Sequence, residues 1–333
     1  MIIDVHTHIV PESFPAYAGK NSDARWPVMG GCDHPHHKAV MIGGKNFREV
    51  SHHCWDTSER LKEMQAEGVN RQVLSPMPEL LSYWFDLDDA LAMCDHTNRT
   101  IGTMVASDPK HFYGLGMVPM QDPERAAREM ARLKSDYGLL GIEVGTNING
   151  TPIGDPSFEP VFAAAVEHDL AIFVHALHPA GLERVIGPPA MAALVAFPNE
   201  NAFAVASLIC GGMLTRYPKL RIAFSHGGGG FAMMLPRMMH GWRTMGDTLF
   251  EHSPLELARR LYYDTLVYDT PTLKYLIDTF GIEQLLVGTD YPFIIREKSP
   301  GDRLQELAID EHQLELLQSK NALRFLNHPQ ELP

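Results

Sequence analysis

Apolar residues fall along this chain in eight short runs separated by longer stretches of mixed character. The first opens the sequence as Ile2-Ile3-Asp4-Val5-His6-Thr7-His8, and the next three cover Val69 to Leu74, Tyr113 to Val118 and Leu139 to Val144. The fifth (Ala171 to His175) and sixth (Leu220 to His226) each end in a histidine. The seventh covers Arg260 to Leu266, and the eighth (Gln284 to Asp290) ends in an aspartate. Short apolar runs of this kind predict strands buried on both faces. Between them the spacing is helical. Asp56-Thr57-Ser58 offers an N-cap, followed by Leu61, Met64 and a stop at Gly68. Further helices are predicted at about 86–107, 123–136, 158–168, 190–214 and 270–280, over the Met-rich stretch after Gly230, and around Leu304 to Leu326. Strands alternating with helices predict parallel strands with crossover connections. Eight such units predict an α/β (β/α)8 TIM barrel, with the active site at the C-terminal strand ends. One interruption stands out. Residues 11–55 are irregular and rich in Gly, Pro and His, and are expected to form an insertion after strand one, a short antiparallel flap. No repeat or linker divides the rest, so residues 1–333 are expected to form a single domain.

Composition narrows the function classes. At 333 residues with 45% hydrophobic content, the chain can bury a large core. A net charge of −13 argues against a nucleic-acid footprint, which needs basic patches. It does not oppose a small anionic substrate, because a metal and a few local arginines outweigh the global field at short range. Cys32, Cys54, Cys94 and Cys210 are widely spaced and resemble no disulfide framework. The N-terminus leads straight into a core strand without a basic segment or cleavage site, and no stretch is read as a membrane span. A soluble, reduced, cytoplasmic protein is expected.

The candidate chemistry lies where the runs end. His6 and His8 are spaced i, i+2, so a strand presents both on one face. His175, His226 and Asp290 end three later runs. Histidines and an aspartate gathered at one barrel mouth suit Zn²⁺ or a similar divalent transition metal better than Mg²⁺ or Ca²⁺. Four glycines follow His226 and would let the backbone approach a ligand closely. Arg48 and Arg237 are candidate anion binders, because a planar guanidinium holds a carboxylate bidentately. A second cluster (Cys32, His34, His36, His37, His52, His53 and Cys54) lacks the paired spacing of a structural zinc site and is expected to be a polar flap. The Met-rich helix near 233–239 is expected to be core or a subunit face.

His6-x-His8, His175, His226 and Asp290 at strand ends resemble the amidohydrolase superfamily. Lys45-Asn46-Phe47-Arg48, Phe173-Val174-His175, Ser225 to Ala232, Trp242-Arg243 and Gly288 to Phe293 are similar to the aminocarboxymuconate semialdehyde decarboxylase group within it. The resemblance covers roughly residues 1–326. It implies one Zn²⁺ per subunit on His6, His8, His175 and Asp290, completed by a water whose pKa the metal lowers toward ~7. It implies His226 as general base and proton shuttle, Asp290 in both metal binding and catalysis, and Arg48 on the substrate. It also implies a homodimer in which Arg237 reaches the partner's site. Phe293, within the last motif, and His178, in the loop beyond strand five, are further candidate substrate contacts. That loop departs from the group. Relatives acting on the aminomuconate semialdehyde carry a tryptophan there, whereas His175 to Pro189 has none.

The expected function is therefore zinc-dependent, non-oxidative decarboxylation of an unsaturated or aromatic carboxylic acid in aromatic-compound catabolism. Two alternatives stay open at this point: hydrolysis or hydration of a ring-cleavage product by the same site, and metal-dependent binding without turnover.

Overall fold

The computed structural model describes residues 1–21, 25–246 and 252–328. Strand β1 (Ile3–Ile9) leads into a three-stranded antiparallel sheet of β2 (Pro27–Gly30), β3 (His37–Ile42) and β4 (Lys45–Ser51). The barrel resumes with β5 (Arg71–Pro76), β6 (Phe112–Gly116) and β7 (Gly141–Gly145). After a small hairpin of β8 (Asn147–Ile148) and β9 (Thr151–Pro152) come β10 (Ala171–His175), β11 (Ile222–Phe224), β12 (Tyr262–Asp264) and β13 (Leu285–Leu286). Eight of these pair in parallel in the order β1-β5-β6-β7-β10-β11-β12-β13. The sheet closes because the chain stays extended beyond β13: Asp290 N–H donates to the His6 carbonyl (2.9 Å), and Val5 N–H to that of Val287 (2.8 Å). The predicted (β/α)8 barrel is present.

Alternation along the strands sorts inside from outside. Ile3, Val5, Val73, Tyr113, Leu115, Phe173, Ala223, Tyr262 and Leu286 pack together in the barrel interior. Their neighbours Ile142, Val144, Ile172, Val174, Ile222 and Phe224 pack in the surrounding cluster with the helices. Leu323 and Phe325, from the last helix (Asn321–Phe325), join the interior cluster. In β1 the register against β5 slips by one residue between Asp4 and Thr7. Such a bulge reverses the facing of the residues beyond it, so His6 and His8 point inward as Ile3 and Val5 do.

The segment after β1 is an antiparallel sheet. Its hairpin turns at Gly43 and Gly44, and Val40, Ile42 and Val50 pack on Met77 and Leu80 of the barrel mouth. Two other expectations need correction. The 123–136 helix divides into Pro123–Met130 and Leu133–Tyr137. A short helix, Pro254–Ala258, adds to the expected set. The apolar helix expected within 190–214 is present, and Ala192–Cys210 is long and apolar enough to cross a membrane by length and composition. It lies against the barrel instead, with Ala202, Val205, Leu208 and Ile209 buried. Its buried Glu200 accepts from Asn147 Nδ2 (3.0 Å) and Ala180 N–H (2.8 Å), as suits a core helix.

Candidate metal centre and active site

His6, His8, His175 and Asp290 converge at the C-terminal end of the barrel, all buried, with one ligand atom from each lying within 4.8 Å of the others. Each imidazole is oriented through its Nδ1. His6 Nδ1 meets Asp264 Oδ2 at 2.6 Å, His8 Nδ1 meets the Pro76 carbonyl at 3.0 Å, and His175 Nδ1 meets the Ala176 carbonyl at 2.9 Å. Carboxylates and carbonyls only accept, so each Nδ1 carries the proton and each Nε2 presents a lone pair. Those lone pairs face one another: His6 Nε2 is 3.2 Å from His8 Nε2, and Asp290 Oδ1 lies 3.1 Å from His8 Nε2 and 3.6 Å from His6 Nε2. His175 Nε2 is buried with no hydrogen-bond partner. Convergent acceptors and an orphaned buried nitrogen are costly without a cation among them. The donor set therefore fits a divalent transition metal, and its Nδ1 partners are those that metal-binding histidines ordinarily have.

Burial opposes a charge on His6, but Asp264 pushes its imidazole up to about 9, so a cation bound there would displace an Nε2 proton. Burial likewise opposes a charge on Asp290, but the adjoining His8 and His6 imidazoles hold its carboxyl well below the usual range. Burial, then His8 and His6, push His175 well below the ordinary imidazole value. Glu143, fully buried on β7, accepts from Ser75 Oγ at 2.6 Å and lies 3.6 Å from His8 Nδ1. Burial pushes it up to about 7.

His226 follows β11 in a tight turn, with its ring centroid 5.2 Å from that of His6 and 5.4 Å from that of His175. Burial, and then His6, push its imidazole below the ordinary value, favouring the neutral base. Its own φ of 53° is left-handed, as is that of Asp290 at 65°. Such backbone costs energy outside glycine and clusters at functional sites. The glycine run explains itself at Gly229: a Cβ there would lie 1.7 Å from the Pro198 carbonyl. The run thus serves the turn and its packing as well as the approach to the site.

A cavity of about 960 Å³ rises from this cluster between the flap and the loops after the strands. Phe47, Met77, Leu194, Phe197, Tyr268 and Phe293 give it apolar and aromatic walls, and His175, His226 and Asp290 contribute at its base. Arg48 is the one Lys or Arg among the described lining residues. Its guanidinium lies 4.5 Å from the Phe293 ring centroid, and Phe293 in turn stacks on His8 at 5.2 Å.

His178 and Arg237 lie outside the lining of this chain's cavity, Arg237 being expected at a partner's site. His178 does not line the cavity; its Nε2 is 3.3 Å from Glu79 Oε2 and its ring packs on Trp84. Tryptophan thus does meet the loop after β10, but from the segment after β5. Arg237 is exposed on the helix Phe231–Met245 and does not line its own chain's cavity. On the flap, His34 and His37 meet through their Nδ1 atoms, and His36 packs on His52. Among the described residues, the single group of three or more metal donors that converges is the one at the barrel mouth. Asp264 and Glu143 were missed from the sequence. Both share strand-face parity with interior residues (Asp264 with Tyr262, Glu143 with Gly141 and Gly145), and that parity was the available signal.

Comparison with known proteins agrees with this geometry. The model of the family described as Amidohydrolase matches residues 3–327. The 2-amino-3-carboxymuconate-6-semialdehyde decarboxylase of Dictyostelium discoideum is 36% identical, covering 97% of this chain and 91% of that protein. A gamma-resorcylate decarboxylase of Rhizobium radiobacter is 26% identical over 77% of this chain and 83% of its own. Among solved structures, 5-carboxyvanillate decarboxylase from Sphingomonas paucimobilis superposes with a TM-score of 0.78, at 24% identity and 98% coverage of both chains. IDCase of Metarhizium anisopliae gives 0.82, at 20% identity, covering 98% of this chain and 97% of that one. These two likenesses speak for the barrel fold, and the family match and the Dictyostelium relative speak for descent. The chain belongs to the amidohydrolase family.

Proposed function

We propose that this protein is a zinc-dependent, non-oxidative decarboxylase of an unsaturated or aromatic carboxylic acid, acting in the breakdown of aromatic compounds. The observation that carries it is the joint placement of the four-donor cluster, His226 beside it, and Arg48 on an aromatic cavity wall. Relatives named as decarboxylases of carboxylated muconate and resorcylate compounds support the reaction class. Three imidazole nitrogens and one carboxylate favour zinc, though manganese or another divalent transition ion suits the same set.

The metal, when bound, supplies Lewis-acid polarisation at the cavity floor. Arg48 holds a substrate oxygen anion against the aromatic wall, fixing the ring or vinyl plane relative to His226. His226, neutral at rest, takes a proton from water at the cavity floor and delivers it to the carbon bearing the carboxylate, forming the new C–H bond. The C–C bond to the carboxylate then breaks, its electron pair returns to the substrate π system, CO2 departs, and the hydroxide left by the water returns to solvent. Apolar walls from Met77, Leu194 and Phe197 exclude water as the bond breaks.

The assembly is proposed to be a homodimer. Met233 and Phe203 are 73% and 58% exposed on neighbouring helices, an apolar face beside Arg237 that a second copy would cover. The four free cysteines suit a reducing compartment, and we place the protein in the cytoplasm. The deciding experiment is CO2 release by metal-loaded protein across muconate semialdehyde, hydroxybenzoate and hydroxypyridine carboxylates. One CO2 per turnover, with a solvent deuteron in its place on the product, is expected. Turnover without CO2 and with water added would move the protein to hydrolase or hydratase chemistry.

A further inference from the structure

Strand β12 contributes no residue to the four-donor cluster, yet its last residue touches it. Asp264 is fully buried and uses both carboxylate oxygens. Oδ2 faces His6 Nδ1 at 2.6 Å. Oδ1 accepts from the backbone N–H of Gly227 at 2.8 Å and of Leu266 at 3.1 Å. The neighbouring strand leaves room for this pair. At Gly288 a Cβ would lie 2.8 Å from Asp264 Cβ and 2.9 Å from His6 Cβ, so any side chain there would push the two apart.

We propose that Asp264 is a positioning residue that fixes the tautomer of His6, keeping the proton on Nδ1 so that the Nε2 lone pair faces the metal. This rests on the reading of His6, His8, His175 and Asp290 as metal ligands. His8 and His175 are oriented by the backbone carbonyls of Pro76 and Ala176, which no substitution at those positions removes. His6 alone among the three is oriented by a side chain, so its tautomer can be reversed by one substitution.

Asp264→Asn makes the reversal. The two backbone N–H groups at Oδ1 can only donate, so the amide oxygen must stay with them and the amide NH2 must face His6. His6 Nδ1 then becomes an acceptor, its proton moves to Nε2, and that proton points into the cluster in place of the lone pair. Loss of such an orienting partner weakens metal binding by about 10–100-fold.

The test is a titration of metal-free protein with Zn²⁺ in competition with a chromogenic chelator, on wild type, Asp264→Asn and His175→Ala. It is paired with histidine 15N NMR of the zinc-loaded wild type. The inference expects at least tenfold weaker zinc binding in Asp264→Asn with unchanged far-UV circular dichroism, and a far-downfield Nδ1 proton on His6 in the wild type. Wild-type affinity in Asp264→Asn, with affinity lost in His175→Ala, overturns the role of Asp264 and leaves the metal site standing. Unchanged affinity in both overturns the metal-site reading itself. Should Asp264→Asn fail to fold, the NMR result decides alone, and absence of the Nδ1 proton on His6 overturns the inference.

Discussion

Arg60→Met is the substitution expected to cost most outside the cavity. Arg60 is fully buried, and its guanidinium joins four parts of the chain. Nη2 donates to the His8 carbonyl at 2.5 Å, and Nη1 to Thr7 Oγ1 (3.2 Å) and Gln72 Oε1 (3.1 Å). Nε donates to the His53 carbonyl at the end of the flap (3.1 Å). Its plane also lies 4.7 Å from the Tyr291 ring centroid, next to Asp290. Methionine fills most of the aliphatic volume and supplies no donor. The His8 carbonyl and Gln72 Oε1 are left buried without this partner, at about 1–3 kcal/mol each. The Thr7 hydroxyl still donates to the Val73 carbonyl, and the His53 carbonyl is only partly buried, so those two add less. Removing a buried cation also relieves its own desolvation, but buried Asp4, which burial pushes up to about 7, loses one of the cationic neighbours that oppose that shift. Deleting one partner of a buried charged network costs about 3–5 kcal/mol, and the sum here falls in that range. The assay is urea unfolding of metal-free protein, with the free-energy difference taken at unchanged denaturant slope. A loss below about 1 kcal/mol would show that the guanidinium does not hold β1 and the flap together. Zinc affinity should fall alongside stability, because the carbonyl that loses its donor belongs to a ligand.

The site itself carries further consequences. Arg48→Met should raise KM for the carboxylate substrate by roughly 10–100-fold, the equivalent of one charge-assisted hydrogen bond of about 1.5–3 kcal/mol, with a smaller effect on kcat; an unchanged KM removes Arg48 from substrate binding. His226→Asn should retain stoichiometric zinc by metal analysis while kcat falls by about 10²–10⁴; near-normal turnover removes it from proton transfer. If Arg237 acts across a dimer, mixing inactive Arg237→Met with inactive His226→Asn subunits should restore activity, since each hybrid holds one complete site; no recovery places Arg237 outside the partner's site. Asp169 offers a pH test away from the metal. Burial opposes its ionisation, but Asn327 and Arg221 hold its carboxyl below the usual range. A depressed folded-state value contributes stability above the unfolded value near 4 that is lost as pH falls through the lower folded one. Asp169→Asn should therefore cost stability at pH 7 and little near pH 2. With the side chain 42% exposed, solvent screening limits the loss to about 1 kcal/mol.

The barrel was legible because its strands are buried on both faces. Burial inside and outside turns each strand into a short apolar run, and eight such runs alternating with amphipathic segments admit few architectures. Ends were less legible than centres. The 123–136 helix breaks near Ala131 and Arg132 without a glycine or proline to mark it, so local sequence carries no signal and tertiary packing decides. Pro254–Ala258 is under two turns, too short for a helical period to emerge. Ala192–Cys210 was legible as an apolar helix, but not its polar centre. Its polar Asn199, Glu200 and Asn201 sit within an apolar stretch, and only the fold shows that Glu200 is buried with partners.

At the site, the same parity that sorts the core also sorts the chemistry, provided the strand is cut at the right residue. Ala171, Phe173 and His175 share the inner face of β10, so the histidine at the run's end is also the one facing inward. In β12 the apolar run continues through Leu266, and Asp264 disappears into its middle. Counting by two from Tyr262 places it on the inner face, where the His6 imidazole needs an acceptor. Strand one defeats such counting altogether. Without the slip between Asp4 and Thr7, Ile3 and Val5 would face inward and His6 and His8 outward. The proposed metal pair is legible as a motif only because its spacing is right, while its facing depends on a bulge the sequence does not announce. Arg48 depends on a similar accident: β3 and β4 shift register between Val40 and Met41, just where Arg48 pairs with Val40. A one-residue slip in that hairpin would turn the guanidinium away from Phe293 and take the cavity's one lining Lys or Arg with it. The proposed anion site therefore belongs to the register of the flap as much as to the identity of residue 48.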